Sequence, residues 1–346
     1  MIRERHSWEK VIDMENCRGA VLDEAKTNRC RKSGMSALMR EKTDEFAKRI
    51  RERLADGFKP HPFIEFEIHE YGKTRHIQAP DIEDAMCHRA ATRVMEPLVY
   101  KRMVPRSYCP VEGRGGLKLA RDLKRMIARC DESCRIHNKR HKQEWKTWIL
   151  ESDIYHYFES ITFNVAMEAM LRIFDEGAVT NYLMSCLEMS DGLPIGAGYS
   201  SMIANAILIP LDWRVVRIKE VRGYARYMDD TAVVVRSKKA AQMVHEEIED
   251  ELNKIGLTTE KKWKKYPSNH HAIEMGGWRI NGKVIYPSTR IEKHIRRLLK
   301  GDVRKLSEDG RAALASLYGY VKNGESMALK KLWKEKNADR VFSKVG

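Results

Sequence analysis

Residues 223–235, GYARYMDDTAVVV, place two adjacent aspartates, Asp229 and Asp230, between two runs rich in β-branched and aromatic residues. The stretch predicts a hairpin with two like charges at its tip, where repulsion lowers stability unless a cation lies alongside. A second strand signal, WKTWILESDIYHYF from Trp145, leads to another aspartate, Asp153. If the two strands are neighbours, Asp153, Asp229 and Asp230 converge, and crowded carboxylates raise one another's pKa. An isolated Asp-Asp is ordinarily a polar turn. Here apolar runs flank the pair, Tyr227 and Met228 precede it, and a second strand ends in a carboxylate, a joint pattern that a turn does not require. Two Mg²⁺ ions roughly 3.5 to 4 Å apart remove the penalty and suit activation of a hydroxyl opposite a leaving phosphate.

The bulk composition sets the class of partner. With 346 residues, 42% of them hydrophobic, the chain is long enough for a sizeable core. Its net charge of +15 points to a polyanion, nucleic acid first. The seven cysteines are scattered and odd in number, which excludes a complete disulfide framework and leads us to expect a reducing, cytoplasmic compartment. The N-terminal MIRERHSWEK has no apolar core of a signal peptide. The longest apolar stretch, MIANAILIPL at 202–211, is about half a membrane span and carries Asn205, so no membrane partner is expected.

Periodicity predicts an α+β fold, a small antiparallel sheet backed by helices. Residues 1–58 have the pattern of a basic helical segment, with Phe46 and Ile50 at helical spacing. PFIEFEIHEYGKTRHIQAP at 62–80 alternates about Tyr71-Gly72 as a hairpin does, with Lys73 and Arg75 near its tip. A helix follows and is expected to stop at Pro97, then a Gly-bearing loop at 112–116 and a helix from Leu117. Residues 238–255 carry Ala240, Val244, Ile248 and Leu252 on one helical face, with Gly256 at the C′ position. From 287 onward a continuous helical tail is expected. Its apolar stripe is Ile291, Ile295, Leu298, Leu299, Val303 and Leu306, and Arg296, Arg297, Lys300 and Arg304 are among its cations. Such a face suits the backbone of a nucleic-acid duplex. CDESCRIHNKRH at 130–141 resembles a zinc set, but on a helix Cys130, Cys134, His137 and His141 span about 16 Å, too far for one tetrahedral ion. The segment is instead expected to be a basic insertion that touches RNA.

YMDD at 227–230 resembles the catalytic box of reverse transcriptases, and ESDIYHYFESI at 151–161 resembles their first aspartate box. GKTRHIQAP is similar to the fingers motif, DGLPIGAGYSSMIAN at 191–205 to the template and nucleotide box, and IGLTTEKKW to the motif that follows. MGGWRINGKVIYPS is similar to the primer-grip region, and SLYGYVKNGESMAL at 316–329 to the thumb segment of bacterial retroelement enzymes. The resemblance implies a right-hand polymerase: fingers at 59–145, palm at 146–286 and helical thumb at 287–346, after the 1–58 segment. It implies an RNA-directed DNA polymerase, with dNTPs as substrates, an RNA template and a DNA product. Asp153 and Asp229 would hold two Mg²⁺ ions, or Mn²⁺ in their place, with Asp230 assisting. Lys73 and Arg75 would clamp the triphosphate, Phe158 would exclude the ribose 2′-hydroxyl, and Ile195 and Gly196 would meet the nascent pair. Tyr227 and Met228 would lie at the primer.

Ile195 departs from the Gln that many members carry before this glycine. PIG resembles the diversity-generating retroelement enzymes and their defence-associated relatives, and loss of the amide implies lower fidelity. Ser201 stands where the diversity-generating group typically has Gln, which keeps a defence role open, and Ala85 follows Asp84 where Arg is frequent. Neither retron signature, VTG nor NAxxH, occurs. The expectation is a reverse transcriptase that copies a structured non-coding RNA in phage defence, with an accessory protein or a second copy of the chain as further candidate partners. Its alternatives are the mutagenic enzyme of a diversity-generating retroelement, an RNA-dependent RNA polymerase, and a non-catalytic RNA-binding protein that keeps the fold.

Overall fold

The computed structural model describes residues 3–70, 73–109, 111–141, 144–259 and 262–339, with Glu70 and Lys73 described by backbone alone. The hairpin tip, Tyr71-Gly72, lies outside them. The chain begins with α1 (Ser7–Val11), α2 (Met14–Ala25), α3 (Asn28–Lys32), α4 (Met35–Glu41) and α5 (Thr43–Ala55), followed by β1 (Ile64–Glu70), β2 (Lys73–Ala79) and α6 (Ile82–Tyr100). Next come β3 (Ser107–Tyr108), α7 (Gly116–His141), β4 (Trp148–Asp153), α8 (Tyr157–Ser160), α9 (Phe163–Leu171), α10 (Gly177–Leu187) and α11 (Ser200–Val216). Then follow β5 (Gly223–Tyr227), β6 (Asp230–Val235), α12 (Lys238–Asn253), β7 (Trp263–Pro267), β8 (Ile273–Met275), β9 (Trp278–Ile280) and β10 (Ile285–Pro287). The chain closes with α13 (Thr289–Leu298), α14 (Glu308–Asn323) and α15 (Met327–Glu335). Two compact units interleave along it. One comprises Met1–Val104, Ile154–Arg214 and Glu249–Thr258, the other Pro105–Asp153, Val215–Ile248 and Thr259–Gly346.

In the first unit α2 packs on α5 and α6. Asp13 caps α2 by accepting from the Glu15 and Asn16 amides, and Cys17, Ala20, Val21, Ala47 and Ile50 are buried. The N-terminal helices thus form a packed layer. Helix α6 does not stop at Pro97. It runs through to Tyr100, because a proline in the last turn deletes one hydrogen bond near an end that is already losing them. The β1–β2 hairpin pairs Ile64 with Ala79 through to Glu70 with Lys73. Near its base the Gln78 amide donates to the Ile195 carbonyl at 2.9 Å.

The second unit holds a five-stranded sheet in the order β3-β5-β6-β4-β7, antiparallel except for the β3–β5 pair. Helix α7 lies against it: Leu119, Leu123, Met126 and Ile127 share a buried cluster with Ile149, Val234 and Tyr266. Cys130 and Cys134 belong to the same cluster. The CDESCRIHNKRH segment is therefore the end of a core helix, not an inserted loop. Its helical course places the cysteines inward while His137 stacks on Trp145 and His141 is exposed, so one zinc cannot gather the four. All seven cysteines are free thiols.

β8, β9 and β10 form a separate antiparallel sheet. Its first turn, Gly276-Gly277, has φ of 58° and 82°, the left-handed pair that a two-residue hairpin turn favours and glycine supplies without strain. Helices α13, α14 and α15 bury a cluster of their own that includes Ile295, Leu299, Leu314 and Trp333. The expected continuous helix from 287 is interrupted: α13 ends at Leu298, and a 3₁₀ turn at Val303–Lys305 follows, capped by the Asp302 side chain on the Arg304 amide. Lys300 and Arg304 consequently lie beyond α13.

Gly116, at the start of α7, abuts the Gly276 carbonyl, which would stand 2.2 Å from an added Cβ. Gly115 has open space at the same point. We expect Gly116→Ala to lower the free energy of unfolding by about 1–3 kcal/mol, the usual range for overpacking. Gly115→Ala should leave the urea midpoint unchanged, and equal midpoints for both variants would contradict this packing.

Candidate active site

The β4–β6 ladder pairs Trp148 with Val235 at one end and Asp153 with Asp230 at the other. Directly opposed residues share a face of the sheet, so these two carboxylates stand side by side. Tyr227 pairs with Asp230 across the β5–β6 hairpin, leaving Met228 and Asp229 as its turn. Met228 has φ 58°, a left-handed conformation that a non-glycine residue reaches at some cost. The end of β4, the turn and the start of β6 thus bring the three aspartates together.

Their electrostatics show the strain of that arrangement. Burial pushes the Asp230 carboxyl up to about 7, with Asp229, Asp153 and Glu151 adding to the rise and Lys262 opposing it. Asp229 is also raised, first by burial and then by Asp153, although its own backbone amide lowers it. Lys262 Nζ lies 3.1 Å from Asp153 Oδ2, and the Asp153 amide donates to the Lys262 carbonyl at 2.9 Å. Two residues back on the same face, Glu151 pairs with Lys264 at 2.6 Å and accepts a short hydrogen bond from the Tyr266 hydroxyl. Asp153, Asp230, Glu151, Lys262, Lys264 and Glu274 border a cavity of about 310 Å³.

Tyr227 is half-buried beside Gly276, whose added Cβ would sit 3.3 Å from the ring, and burial is the main cause of its raised hydroxyl pKa. The other sequence candidates lie on the first unit or in the C-terminal segment from α13 onward. Arg75 is exposed on β2, which also carries Lys73. Gly196 has φ 127° and its Cβ position is 3.0 Å from Ile77 and 3.1 Å from the Gln78 carbonyl, so it and Ile195 are held against the base of the β1–β2 hairpin. The Phe158 carbonyl accepts from the Leu193 amide at 2.8 Å, which ties the head of that box to the segment after β4. Arg296 pairs with Glu292 and Arg304 with Asp302. Arg297 and Lys300 are exposed and carry no ion pair among the described residues.

Three features escaped sequence reasoning. Lys262, within IGLTTEKKW, carries a single sequence signal, a lysine at the head of the strand beside Asp153. Arg226, inside the opening stretch, is 1% exposed. His61, Asp81 and Asp84 place one ligand atom each within 4.8 Å of one another. That group has an internal explanation: Arg53 pairs with Asp84 at 2.8 Å, the His61 amide donates to Asp84 at 2.6 Å, and Asp81 caps α6. A guanidinium already occupies the place of a cation there.

The profile of the family described as "Reverse transcriptase (RNA-dependent DNA polymerase)" matches residues 68–275, more than half of the chain, and spans β4, the YMDD turn and the Gly196 box. The chain belongs to this family. No curated protein sequence matches it. Among solved structures it is similar to a telomerase from Candida albicans in complex with a TWJ fragment of telomeric RNA, at 12% identity and a TM-score of 0.48. That match covers 83% of this chain and 56% of the telomerase chain, so this chain spans little more than half of that protein. No helix among the described residues is long and apolar enough to cross a membrane.

The raised Asp230 carboxyl has a consequence for stability. The folded chain holds a proton that the unfolded one, with an ordinary value of 3.8, has lost, so stability falls as pH rises from there toward about 7. Without divalent metal, Asp230→Asn should raise unfolding stability at pH 8 by about 1–3 kcal/mol. The gain stays within that range because the cavity beside the carboxylates opens to solvent, which screens their charges. Below about pH 4 the gain should vanish. Urea unfolding in EDTA measures it, and a gain independent of pH would contradict the electrostatic account.

Proposed function

We propose that the chain copies RNA into DNA by two-metal nucleotidyl transfer, with Asp153 and Asp229 as metal ligands and Asp230 in support. The observation that carries this reading is the convergence of the three carboxylates at one end of the β4–β6 ladder, with Asp229 and Asp230 raised first by burial and then by the neighbouring aspartates. A set of hard carboxylate oxygens fits Mg²⁺, with Mn²⁺ as an alternative. When bound, the ions supply Lewis-acid stabilisation of the attacking 3′-oxygen and the departing pyrophosphate.

The chain's own groups do the rest. Asp153 and Asp229 present carboxylate oxygens, and Lys262, paired with Asp153, offsets charge until the site is filled. Lys73 and Arg75 on β2 clamp the triphosphate, where negative charge develops. Phe158 closes the sugar pocket against a 2′-hydroxyl, to which it offers no hydrogen bond. Ile195 and Gly196 form the platform for the nascent pair, Tyr227 and Met228 support the primer end, and Arg296, Arg297, Lys300 and Arg304 follow the duplex backbone. In this reading residues 59–145 are fingers, 146–286 palm and 287–346 thumb.

The finer role we infer is phage defence, with a structured non-coding RNA as template. The resemblance of the PIG box to the defence-associated and diversity-generating enzymes supports it, and Ser201 favours the former. Sequencing the RNA and cDNA that copurify with the protein tests this. Recovery of cDNA from a variable-protein template repeat would contradict the defence role.

Asp153→Asn and Asp229→Asn should each lower dNTP incorporation on a primed RNA template by at least about 10²–10³-fold, the scale of losing one group that stabilises transition-state charge. RNA affinity should be retained. Biological activity that survives both substitutions would instead favour a non-catalytic binding role. Phe158→Ala should admit rNTPs and lower the dNTP preference in competition assays. Unchanged discrimination would remove Phe158 from the sugar pocket.

A further inference from the structure

Arg226 is the largest fully buried side chain among the described residues, at 1% exposure. A guanidinium in a sheet interior is costly unless it is paired, and an apolar residue would ordinarily serve as well. The register shows what surrounds it. One row in from the carboxylates, Ser107, Arg226, Thr231 and Ser152 are directly opposed across β3, β5, β6 and β4. All four are buried, so a polar row crosses the sheet on the face opposite the Tyr227–Asp230–Asp153 row.

From that row Arg226 reaches the catalytic turn. Its Nη1 donates to the Met228 carbonyl at 2.9 Å, and its Nη2 lies 3.4 Å from Ser107 Oγ. The Met228 carbonyl belongs to the peptide that links Met228 to Asp229, and Met228 occupies the left-handed region. A hydrogen bond there holds the peptide plane and with it the direction in which Asp229 leaves the turn. The geometry points to Arg226 as a positioning residue that locks the Met228–Asp229 peptide so that Asp229 is presented to the metal ions. The inference rests on the metal-site reading above.

The test is Mn²⁺ binding to the full chain without nucleotide, followed by electron paramagnetic resonance, alongside the Mg²⁺ dependence of dNTP incorporation. Arg226→Gln should weaken Mn²⁺ binding and raise the half-saturating Mg²⁺ by about 10–100-fold, as losing an outer partner of a metal ligand does. The KM for dNTP at saturating Mg²⁺ should change little. Arg226→Lys, which keeps a donor and the charge, should recover part of the metal affinity, and Ser107→Ala should give a smaller loss than Arg226→Gln. If Arg226→Gln does not fold, the Lys and Ser107→Ala variants carry the test. Metal affinities within twofold of wild type in the folded variants would overturn the assignment, as would a loss of stability and RNA binding with unaltered half-saturating Mg²⁺. Wild-type protein that binds no Mn²⁺ would overturn the metal site itself, and is thus distinguished from failure of Arg226 alone.

Discussion

The rest of the site follows from the pairing of Asp153 with Asp230 across two antiparallel strands. Like charges in directly opposed positions weaken a sheet, and the chain adds a third carboxylate one residue away, in the turn. Lys262 offsets part of this charge, yet Asp230 remains raised to about 7. A sequence selected for stability alone would place a threonine or valine at such a pair. The penalty is understandable if divalent ions join the three groups when the protein works.

The surrounding structure holds that unfavourable cluster in place. The sheet is backed by α7 through an apolar layer, and Gly116, Gly276 and Tyr227 pack backbone to backbone to ring behind the YMDD turn. Arg226 reaches the turn from the opposite face. The backbone strain at Met228 is thus confined between two rigid supports, in keeping with the tendency of strained residues to gather at functional sites.

Much of the architecture was legible in the residues because local signals agreed. The apolar runs around Asp229 and the aromatic run before Asp153 marked β5, β6 and β4, and the stripe of α12 ended where Gly256 adopts φ 73°. Membership of the reverse transcriptase family was legible in the ordered boxes. What misled was local chemistry that tertiary context decides. Cysteine and histidine at helical spacing suggested an insertion, whereas the cysteine stripe is a core face. The apolar period through Leu299 and Val303 concealed a break because both are buried on either side of a loop. Pro97 suggested an end that α6 passes by one turn. Arg226 gave no signal at all, since an arginine in a strand ordinarily faces water; only the register shows its neighbours to be Ser107 and Thr231.

The central claim is that the carboxylates are a divalent-cation site. Anomalous diffraction from crystals grown with Mn²⁺, a dNTP and a primed RNA template tests it most directly. Peaks bounded by Asp153 and Asp229 are expected. Peaks confined to His61, Asp81 and Asp84, or none near the YMDD turn, would contradict it.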